Sequence, residues 1–201
     1  MTVTIKYQSH FSNESISSAS QQWATENGDI TTSSAKQYGS FAGGDTFNGT
    51  QYAVSSSHGT DTAMIVEGEL KYSFMPQHTF SGKMDSLALG MTLENNTDGV
   101  GKQLADPHFK FSGLDITGEF DPSKTKEENQ QGEMHKATYG FMRGDATPFL
   151  DILKAKGIDV DTPLKDMAIA SQFDASSDVM ADAPIIDTIG SYDGAEILMA
   201  A

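Results

Sequence analysis

The 201-residue sequence contains no cysteine, and this absence excludes several kinds of chemistry. Without a thiol the chain cannot form disulfides, bind a metal through thiolates or use a cysteine nucleophile. Its histidines are spaced too widely to form a zinc site on one helix or hairpin; they are His10, His58, His78, His108 and His135. We therefore expect no structural zinc site.

Basic residues are also scarce, since Lys and Arg number 13 against 28 Asp and Glu, which gives a formal charge of -15. Such a surface repels polyanions, so we expect no binding to nucleic acid or anionic membranes. No stretch reaches the roughly 18 apolar residues of a membrane helix, and the start, MTVTIKYQSHFSN, lacks the pattern of a signal peptide. These features favour the cytosol, whereas the Gly, Ser, Thr and Asn content resembles that of a secreted protein. Composition leaves the compartment open.

Common catalytic motifs are missing as well. The chain has no GxSxG, HExxH, GxxxxGKS/T or GxGxxG pattern, so an enzymatic function has little support from motifs. The segment AGGDTFNGT resembles a calcium-binding glycine-aspartate repeat, but one imperfect copy cannot form a stacked solenoid.

Strand patterns dominate the first part of the sequence. Residues 2–7, TVTIKY, alternate as in a strand, and the next segment places Ile16, Ala19 and Trp23 on one face of a helix that ends near Gly28. Several β-rich runs follow between residues 49 and 93, and another, HFKFSGLDITGEF, comes after a predicted loop, ENNTDGVGKQLADP. We interpret these runs as an antiparallel sheet.

Helical patterns dominate the later part, where helices are predicted over residues 124–143, 147–157 and 162–171. Strands followed by helices indicate the α+β class, here a sheet with helices on one side. Because no linker-like segment divides the 201 residues, we predict a single domain. From about residue 173 to residue 187 the chain is acidic and poor in large apolar residues, which predicts a loose tail.

Residues 29–48 form a predicted surface loop, called the first loop below. Its sequence, DITTSSAKQYGSFAGGDTFN, is polar and Gly-rich, with too few apolar residues for a buried element. Loops of this length in a compact domain are usually functional or disordered. The first loop is therefore a candidate binding loop.

The segment LKYSFMPQHTF, residues 70–80, places a histidine shortly after a tyrosine. Pro76 cannot continue a central strand, so the chain should turn there and bring His78 back beside Tyr72. A neutral imidazole that accepts the phenol proton gives the oxygen phenolate character, which suits it to ferric iron. Spacing alone leaves the alternative that Tyr72 is a strand-end aromatic and His78 a solvated turn residue.

A second group of candidate residues lies in EMHKATYGFMRGD. His135, Tyr139 and Met142 are spaced i, i+4 and i+7, on one face of the predicted helix. An aromatic and thioether face suits a flat ligand. The alternative is that Tyr139 and Met142 belong to the core and that His135 is a satisfied residue at its edge.

These motifs resemble those of the HasA-type haemophores, secreted haem-scavenging proteins of Gram-negative bacteria. The resemblance covers nearly the whole chain and rests on TIKY, QWA, GDI, GSF, GTQYA, EGELKYSFMPQHT, GEMHK, YGFM and the final LMAA, in that order. It implies a single α+β domain with a curved antiparallel sheet, helices packed on one face, and haem b held between two loops at one end.

The resemblance also implies roles for individual residues. Tyr72 corresponds to the axial ligand of the ferric haem iron, and His78 to the histidine that bonds its phenol. Tyr139 and Met142 correspond to residues that line the haem, with His135 close to them.

The first loop departs from the best-known members of the family. Those proteins place a second axial histidine about where this chain has Thr32, and an alcohol is a poor iron ligand. A branch of the family also lacks that histidine, so haem binding is still implied, while six-coordinate ligation from two loops is not. Phe41, in the same loop, is a further candidate haem contact.

At the level of the whole protein, the resemblance implies a secreted monomer that carries haem without turning it over. Residues 1–187 would form the haem-binding domain, and residues 188–201 an uncleaved secretion signal read by an ABC exporter. Host haemoproteins would be the haem source, and an outer-membrane haem receptor the recipient. Two alternatives remain open: a haem-dependent peroxide-active enzyme with His135 as its acid-base group, and an acidic exported surface or calcium-binding protein without haem.

Overall fold

One curved sheet organises the computed structural model, which describes residues 2–75, 77–97 and 99–173. Its strands are β1 (Thr4–Tyr7), β2 (Ser40–Ala42), β3 (Asn48–Ser55), β4 (Thr62–Ser73), β5 (Thr79–Asn95), β6 (Lys102–Gly118) and β7 (Ala170–Gln172). They form a 7-stranded sheet in the order β2-β3-β4-β5-β6-β1-β7. Neighbouring strands are antiparallel except β1 and β7, which are parallel.

The helices pack on one face of this sheet. They are α1 (Ile16–Asn27), α2 (Lys126–Asn129), α3 (Glu133–Met142) and α4 (Thr147–Ala155), with short 3-10 turns at Ser9–Phe11 and Leu164–Asp166. None of the helices in the described part of the chain is long and apolar enough to cross a membrane. The α+β class and the arrangement of helices on one side are confirmed.

The core between helices and sheet is built from large apolar side chains that are almost fully buried. Trp23 of α1 donates a hydrogen bond of 3.0 Å from Nε1 to the Gly90 carbonyl of β5, and its ring lies 5.7 Å from that of Phe141. Phe141 in turn packs at 5.4 Å on Phe149 of α4. Each such ring removes apolar surface from water worth about 1.5 to 3 kcal/mol. This packing fixes α3 against the sheet.

The curvature of the sheet is visible in one pair of hydrogen bonds. Gln51 of β3 donates from Nε2 to the Lys102 carbonyl at 3.0 Å and accepts from the Lys102 amide at 2.6 Å. Two strands, β4 and β5, separate β3 from β6 in the sheet order. The sheet must therefore bend until the start of β6 reaches the outer face of β3. Ile65 of β4 is buried but is not part of the helix-facing core.

Several predicted boundaries were wrong. The helix predicted over residues 124–143 is divided, because Asn129 turns its side chain to Asp121 and Gln77 and Gly132 starts a new helix. The helix predicted over 162–171 is absent. A short 3-10 turn follows Pro163, and the next residues pair as β7 with the free edge of β1.

The loops are also shorter than predicted. Within the first loop, the 3-residue strand β2 pairs with β3, and the last part of the loop predicted over residues 94–107 belongs to β6, which begins at Lys102. Strand β4 is continuous through a bulge at Gly68, where two separate runs were predicted. The predicted acidic tail and the predicted secretion signal lie, from residue 174 onwards, outside the described residues.

Candidate functional site

Tyr72 and His78 come together at one end of the sheet, as the sequence predicts. Tyr72 lies near the end of β4, opposite Phe80 of β5, and its amide donates to the Phe47 carbonyl at 2.8 Å. The Tyr72 hydroxyl is 3.1 Å from Nδ1 of His78. His78 has a positive φ of 47°, uncommon for a residue other than glycine, so its backbone is bent specifically to return the ring. Pro76, on which the predicted turn rested, is outside the described residues.

A buried network of amide side chains supports the loop between these two residues. Gln77 donates from Nε2 to the Lys124 carbonyl at 2.8 Å and accepts at Oε1 from Asn129. Gln130 adds bonds from its side chain to the carbonyls of Gln77 and His78, at 3.2 and 3.1 Å. Nothing in the sequence pattern indicated these partners, because they lie some 50 residues further along the chain. The network ties the loop to the segment before α3.

The Tyr72 phenol is held protonated in the absence of a metal ion. Burial raises its pKa above the ordinary tyrosine value, and the neighbouring phenols of Tyr139 and Tyr38 raise it further. A protonated phenol donates its hydrogen to His78 when Nδ1 of the neutral ring is unprotonated. A metal ion that bound the Tyr72 oxygen would therefore displace the phenol proton, and His78 lies close enough to accept it.

His135 lies in the core rather than at the surface of the site. It is 5% exposed, accepts at Nδ1 from the Phe80 amide at 3.3 Å, and stacks on Tyr139 with ring centroids 5.3 Å apart. Burial, assisted by the charge of Lys126, lowers the pKa of His135 to about 4, so it is neutral at physiological pH. This geometry matches the alternative of a satisfied histidine more closely than that of a free ligand.

Tyr139 and Met142 have different surroundings although they share a helix face. Tyr139 is half-buried with Arg143 over its ring, at 6.0 Å from the centroid. Met142 is buried, and its sulfur accepts a hydrogen bond of 3.6 Å from the Tyr52 hydroxyl. Its carbonyl also accepts from the Ile30 amide at 2.9 Å, which ties the start of the first loop to α3.

The first-loop candidates are also separated from each other. Thr32 is exposed, and its hydroxyl donates to the Asp29 carbonyl at 2.9 Å. Phe41 lies in β2 opposite Tyr52, with ring centroids 4.9 Å apart, and its ring is 6.4 Å from that of Phe80. Phe41 thus joins the row of rings that leads to Tyr72, whereas Thr32 makes a local turn.

Exposed aromatic side chains near Tyr72 were missed in the sequence. Phe47 and Phe74 are 44% and 48% exposed and stack with centroids 5.2 Å apart, while Phe47 is 6.4 Å from the Tyr72 ring. Met75 and Tyr38, at 70% and 69%, are also exposed. The available signal was the presence of large apolar residues in predicted loops. Grouped apolar exposure of this kind marks a binding surface.

The residues present fit a flat apolar group that brings most of its own metal ligands. An open depression of about 600 Å³ is lined by Phe47 and Tyr72 together with polar side chains such as those of Lys71 and Ser81, and its volume is within the usual range for small-molecule sites. Among the described residues, no group of 3 or more His, Asp or Glu side chains could hold a bare metal ion. A single tyrosine phenol is, however, among the groups by which proteins hold haem iron.

Comparison with known proteins gives matches along the whole fold. The family model described as Heme-binding protein A (HasA) matches residues 1–201. Hemophore HasA of Serratia marcescens is 30% identical over 181 residues, which cover 85% of this chain and 92% of that protein. The apo structure of hemophore HasA from Yersinia pestis is 49% identical, with a TM-score of 0.83, and covers 86% of this chain and 99% of its own. The holo structure from the same organism is 48% identical with a TM-score of 0.82 and the same coverage, 86% and 99%.

Proposed function

Because this chain belongs to the HasA family of heme-binding proteins, we propose that it is a haemophore that binds one ferric haem b through Tyr72. The observation that carries the proposal is the distance of 3.1 Å between the Tyr72 hydroxyl and Nδ1 of His78. It supplies a phenol for the iron together with a neutral acceptor for the phenol proton. The fit of the surrounding surface to a flat apolar group supports the same function.

His78 controls how readily Tyr72 can act as a ligand. Bound ferric haem would supply a Lewis-acidic iron that the Tyr72 oxygen could hold as a phenolate. The raised pKa of Tyr72 means that the free protein holds this group as a phenol, so His78 must accept the proton or the hydrogen bond when the oxygen binds. The buried amides of Gln77 and Asn129 keep His78 in reach. Haem capture therefore depends on His78, which these amides hold in place, as well as on Tyr72.

Aromatic side chains on both sides of Tyr72 would hold the apolar body of the haem. Phe47 and Phe74 form a stacked pair beside the Tyr72 ring, and Tyr139 contributes from α3. His135 acts through Tyr139 and Phe80 by positioning them, and Met142 and Phe41 support the Tyr52 ring behind the site. Thr32 forms no iron bond in this proposal.

A carrier of this kind would work outside the cell. We propose secretion through an ABC exporter that reads residues 188–201, with residues 1–187 as the haem-binding domain. The monomer would take haem from host haemoproteins and deliver it to an outer-membrane haem receptor. The formal charge of -15 is consistent with a protein that stays free of nucleic acid and anionic membranes.

Family membership also decides between the alternatives raised by the sequence. A hemophore carries haem and is not an enzyme, so the peroxide-active alternative is set aside. The environment of His135 supports this, because a buried histidine that accepts a backbone hydrogen bond is poorly placed for acid-base work. The alternative of an exported protein without haem is tested directly by hemin uptake.

The test is a hemin titration of the purified chain, followed by absorbance and electron paramagnetic resonance. We expect one hemin per chain and a tyrosinate-ligated ferric spectrum. Tyr72→Phe removes the oxygen and keeps the ring, so it should lose the tyrosinate spectrum and bind hemin more weakly. Tyr7→Phe, in a strand separated from β4 by two others, is the matched control and should behave as wild type. Unchanged affinity and spectrum in Tyr72→Ala would exclude Tyr72 as the ligand.

A further inference from the structure

Tyr38 combines a fixed backbone with an exposed side chain. Its carbonyl accepts a hydrogen bond of 2.6 Å from the Tyr52 hydroxyl. The next residue, Gly39, has a φ of 72° and lies so close to the Tyr52 ring and the Ala53 carbonyl that a Cβ atom would clash. Yet Tyr38 is 69% exposed. A large ring held in water near a proposed ligand site is typical of a surface that a ligand covers.

Tyr38 also lies on the side of the first loop that adjoins Tyr72. Its phenol is near enough to raise the pKa of Tyr72, although burial and Tyr139 contribute more. The Tyr52 ring, beside which Tyr38 is held, contacts Phe80 with centroids 5.1 Å apart, and Phe80 contacts Tyr72 at 4.8 Å. A continuous row of rings thus connects the attachment point of Tyr38 with the proposed iron ligand.

Thr32, the other first-loop candidate, is engaged elsewhere. Its hydroxyl bonds the Asp29 carbonyl and lies 3.4 Å from Nε2 of His58. The same His58 nitrogen is 2.7 Å from the Asp29 carbonyl, and the Asp29 carboxylate pairs with Arg143 at 2.8 Å. The start of the first loop is therefore tied to the β3–β4 turn and to the end of α3. Thr32 would have to break these bonds to reach a ligand.

We propose that Tyr38, and not Thr32, is the residue with which the first loop covers bound haem, and that its ring makes the contact while its oxygen forms no bond to iron. This inference rests on the proposed function. Tyrosine rings offer a large rigid apolar face at low entropic cost, which suits packing on a flat ligand. A second phenolate beside Tyr72 would repel the first, on a chain that already carries a formal charge of -15.

The first experiment separates the ring from the hydroxyl by the rate of haem transfer to apomyoglobin. Tyr38→Ala should lose haem about 10-fold faster, because one aromatic contact is worth about 1.5 kcal/mol. Tyr38→Phe and the control Thr32→Ala should stay within about twofold of wild type. All variants should keep the tyrosinate spectrum. Wild-type rates in Tyr38→Ala, or a changed ligation spectrum in Tyr38→Phe, would overturn the inference.

The second experiment measures whether bound haem shields Tyr38, and it requires no mutation. Tetranitromethane should nitrate exposed Tyr38 in the free protein and spare it in the hemin-loaded protein. Cleavage by trypsin after Lys36 and Lys71 separates the peptide that carries Tyr38 from the peptide that begins with Tyr72. Equal nitration of Tyr38 in both states would contradict the inference while Tyr72 ligation could still hold. If the wild-type chain takes up no hemin, the proposed function fails and the inference with it.

Discussion

The first loop and the Tyr72 loop, residues 74–78, flank one site but are held by different kinds of hydrogen bond. The first loop is fastened to Ser57 of the β3–β4 turn, where the Ser57 hydroxyl accepts from the Gln37 amide at 2.8 Å and its carbonyl accepts from Ser33. These groups are exposed or half-buried. The Tyr72 loop is fastened through Gln77 and Asn129, which are 8% and 3% exposed.

The two kinds of hydrogen bond indicate which loop holds the site rigid and which loop can cover a bound ligand. A broken bond at the surface is replaced by water, whereas a broken bond in a buried network leaves a polar group unsatisfied at about 1 to 3 kcal/mol. Gln77 and His78 of the Tyr72 loop are therefore held firmly, as the proposed role of His78 beside the Tyr72 phenol requires. Residues 33–37 of the first loop can open at low cost, which suits a cover that admits and releases a ligand. The backbone on either side stays bonded, at Ile30 to Met142 and at Tyr38 to Tyr52. Four predictions test this contrast, in order of decreasing magnitude.

The largest effect concerns His135, which supports Phe80 beneath the Tyr72 loop. Its pKa is about 4 in the folded protein against 6.5 ordinarily, so only the unfolded chain binds a proton between these values. Stability should therefore fall as pH drops through this window, by about 3 kcal/mol at about 1.36 kcal/mol per pH unit. His135→Asn retains an acceptor near Nδ1 and removes the titration. Urea unfolding at several pH values should show a smaller acid loss in the variant, and parallel curves would refute the assignment.

The next effect concerns His78 and haem retention. Loss of one partner of a ligand typically costs about 10- to 100-fold in affinity. His78→Ala should lose haem to apomyoglobin faster by that factor at neutral pH, with no added backbone strain, because alanine has the same Cβ at a φ of 47°. The control is His10→Ala, because His10 is an exposed histidine in the 3-10 turn at Ser9–Phe11.

Equal rates of haem loss in wild type and His78→Ala would contradict this prediction. His78 would then be a simple turn residue, and the Tyr72 loop would only position Tyr72.

The third effect concerns Asn129 and the buried network. Its side chain donates to Gln77 and to the Asp121 carbonyl and accepts from the Asp121 amide. Asn129→Ala leaves these buried groups unpaired and should lower the free energy of unfolding by about 2 kcal/mol. Gln131→Ala, an exposed amide two positions later, should change it by less than about 0.5 kcal/mol. Similar losses in both variants would show that the network is not what holds the loop.

Sequence reasoning found the local half of this site. The pairing of Tyr72 with His78 could be predicted because both residues belong to one hairpin, and a proline between them indicates the turn. The helix-facing pattern of α1 and the α+β class follow equally from local periodicity. Side chains repeat every two residues in a strand and about every 3.6 residues in a helix, so a short stretch of sequence is enough to reveal either.

The distant half could not be found in this way. Gln77 and Asn129 are polar residues without periodicity, 52 positions apart, and their bond exists only when α2 lies against the turn between β4 and β5. The same pairing divides the predicted helix before α3 at Asn129. Strand β7 was mistaken for a helix because its strand pairing depends on the free edge of β1. Local strand propensity cannot reveal a pairing partner at the other end of the chain.

The smallest effect concerns Ser57, which fastens the first loop. Ser57→Ala removes the acceptor for the Gln37 amide, but water can replace it, so the free energy of unfolding should fall by about 1 kcal/mol or less. Local opening should respond more clearly than global stability, because the amide of Gln37 loses its protection from hydrogen exchange without the sheet unfolding. Ser34→Ala, exposed in the same loop, is the control. We expect faster exchange confined to residues of the first loop, in hydrogen-exchange mass spectrometry of the free protein. If Ser57→Ala destabilised the whole chain as much as Asn129→Ala, the first loop would be as firmly held as the Tyr72 loop, and a cover that opens at low cost would no longer follow.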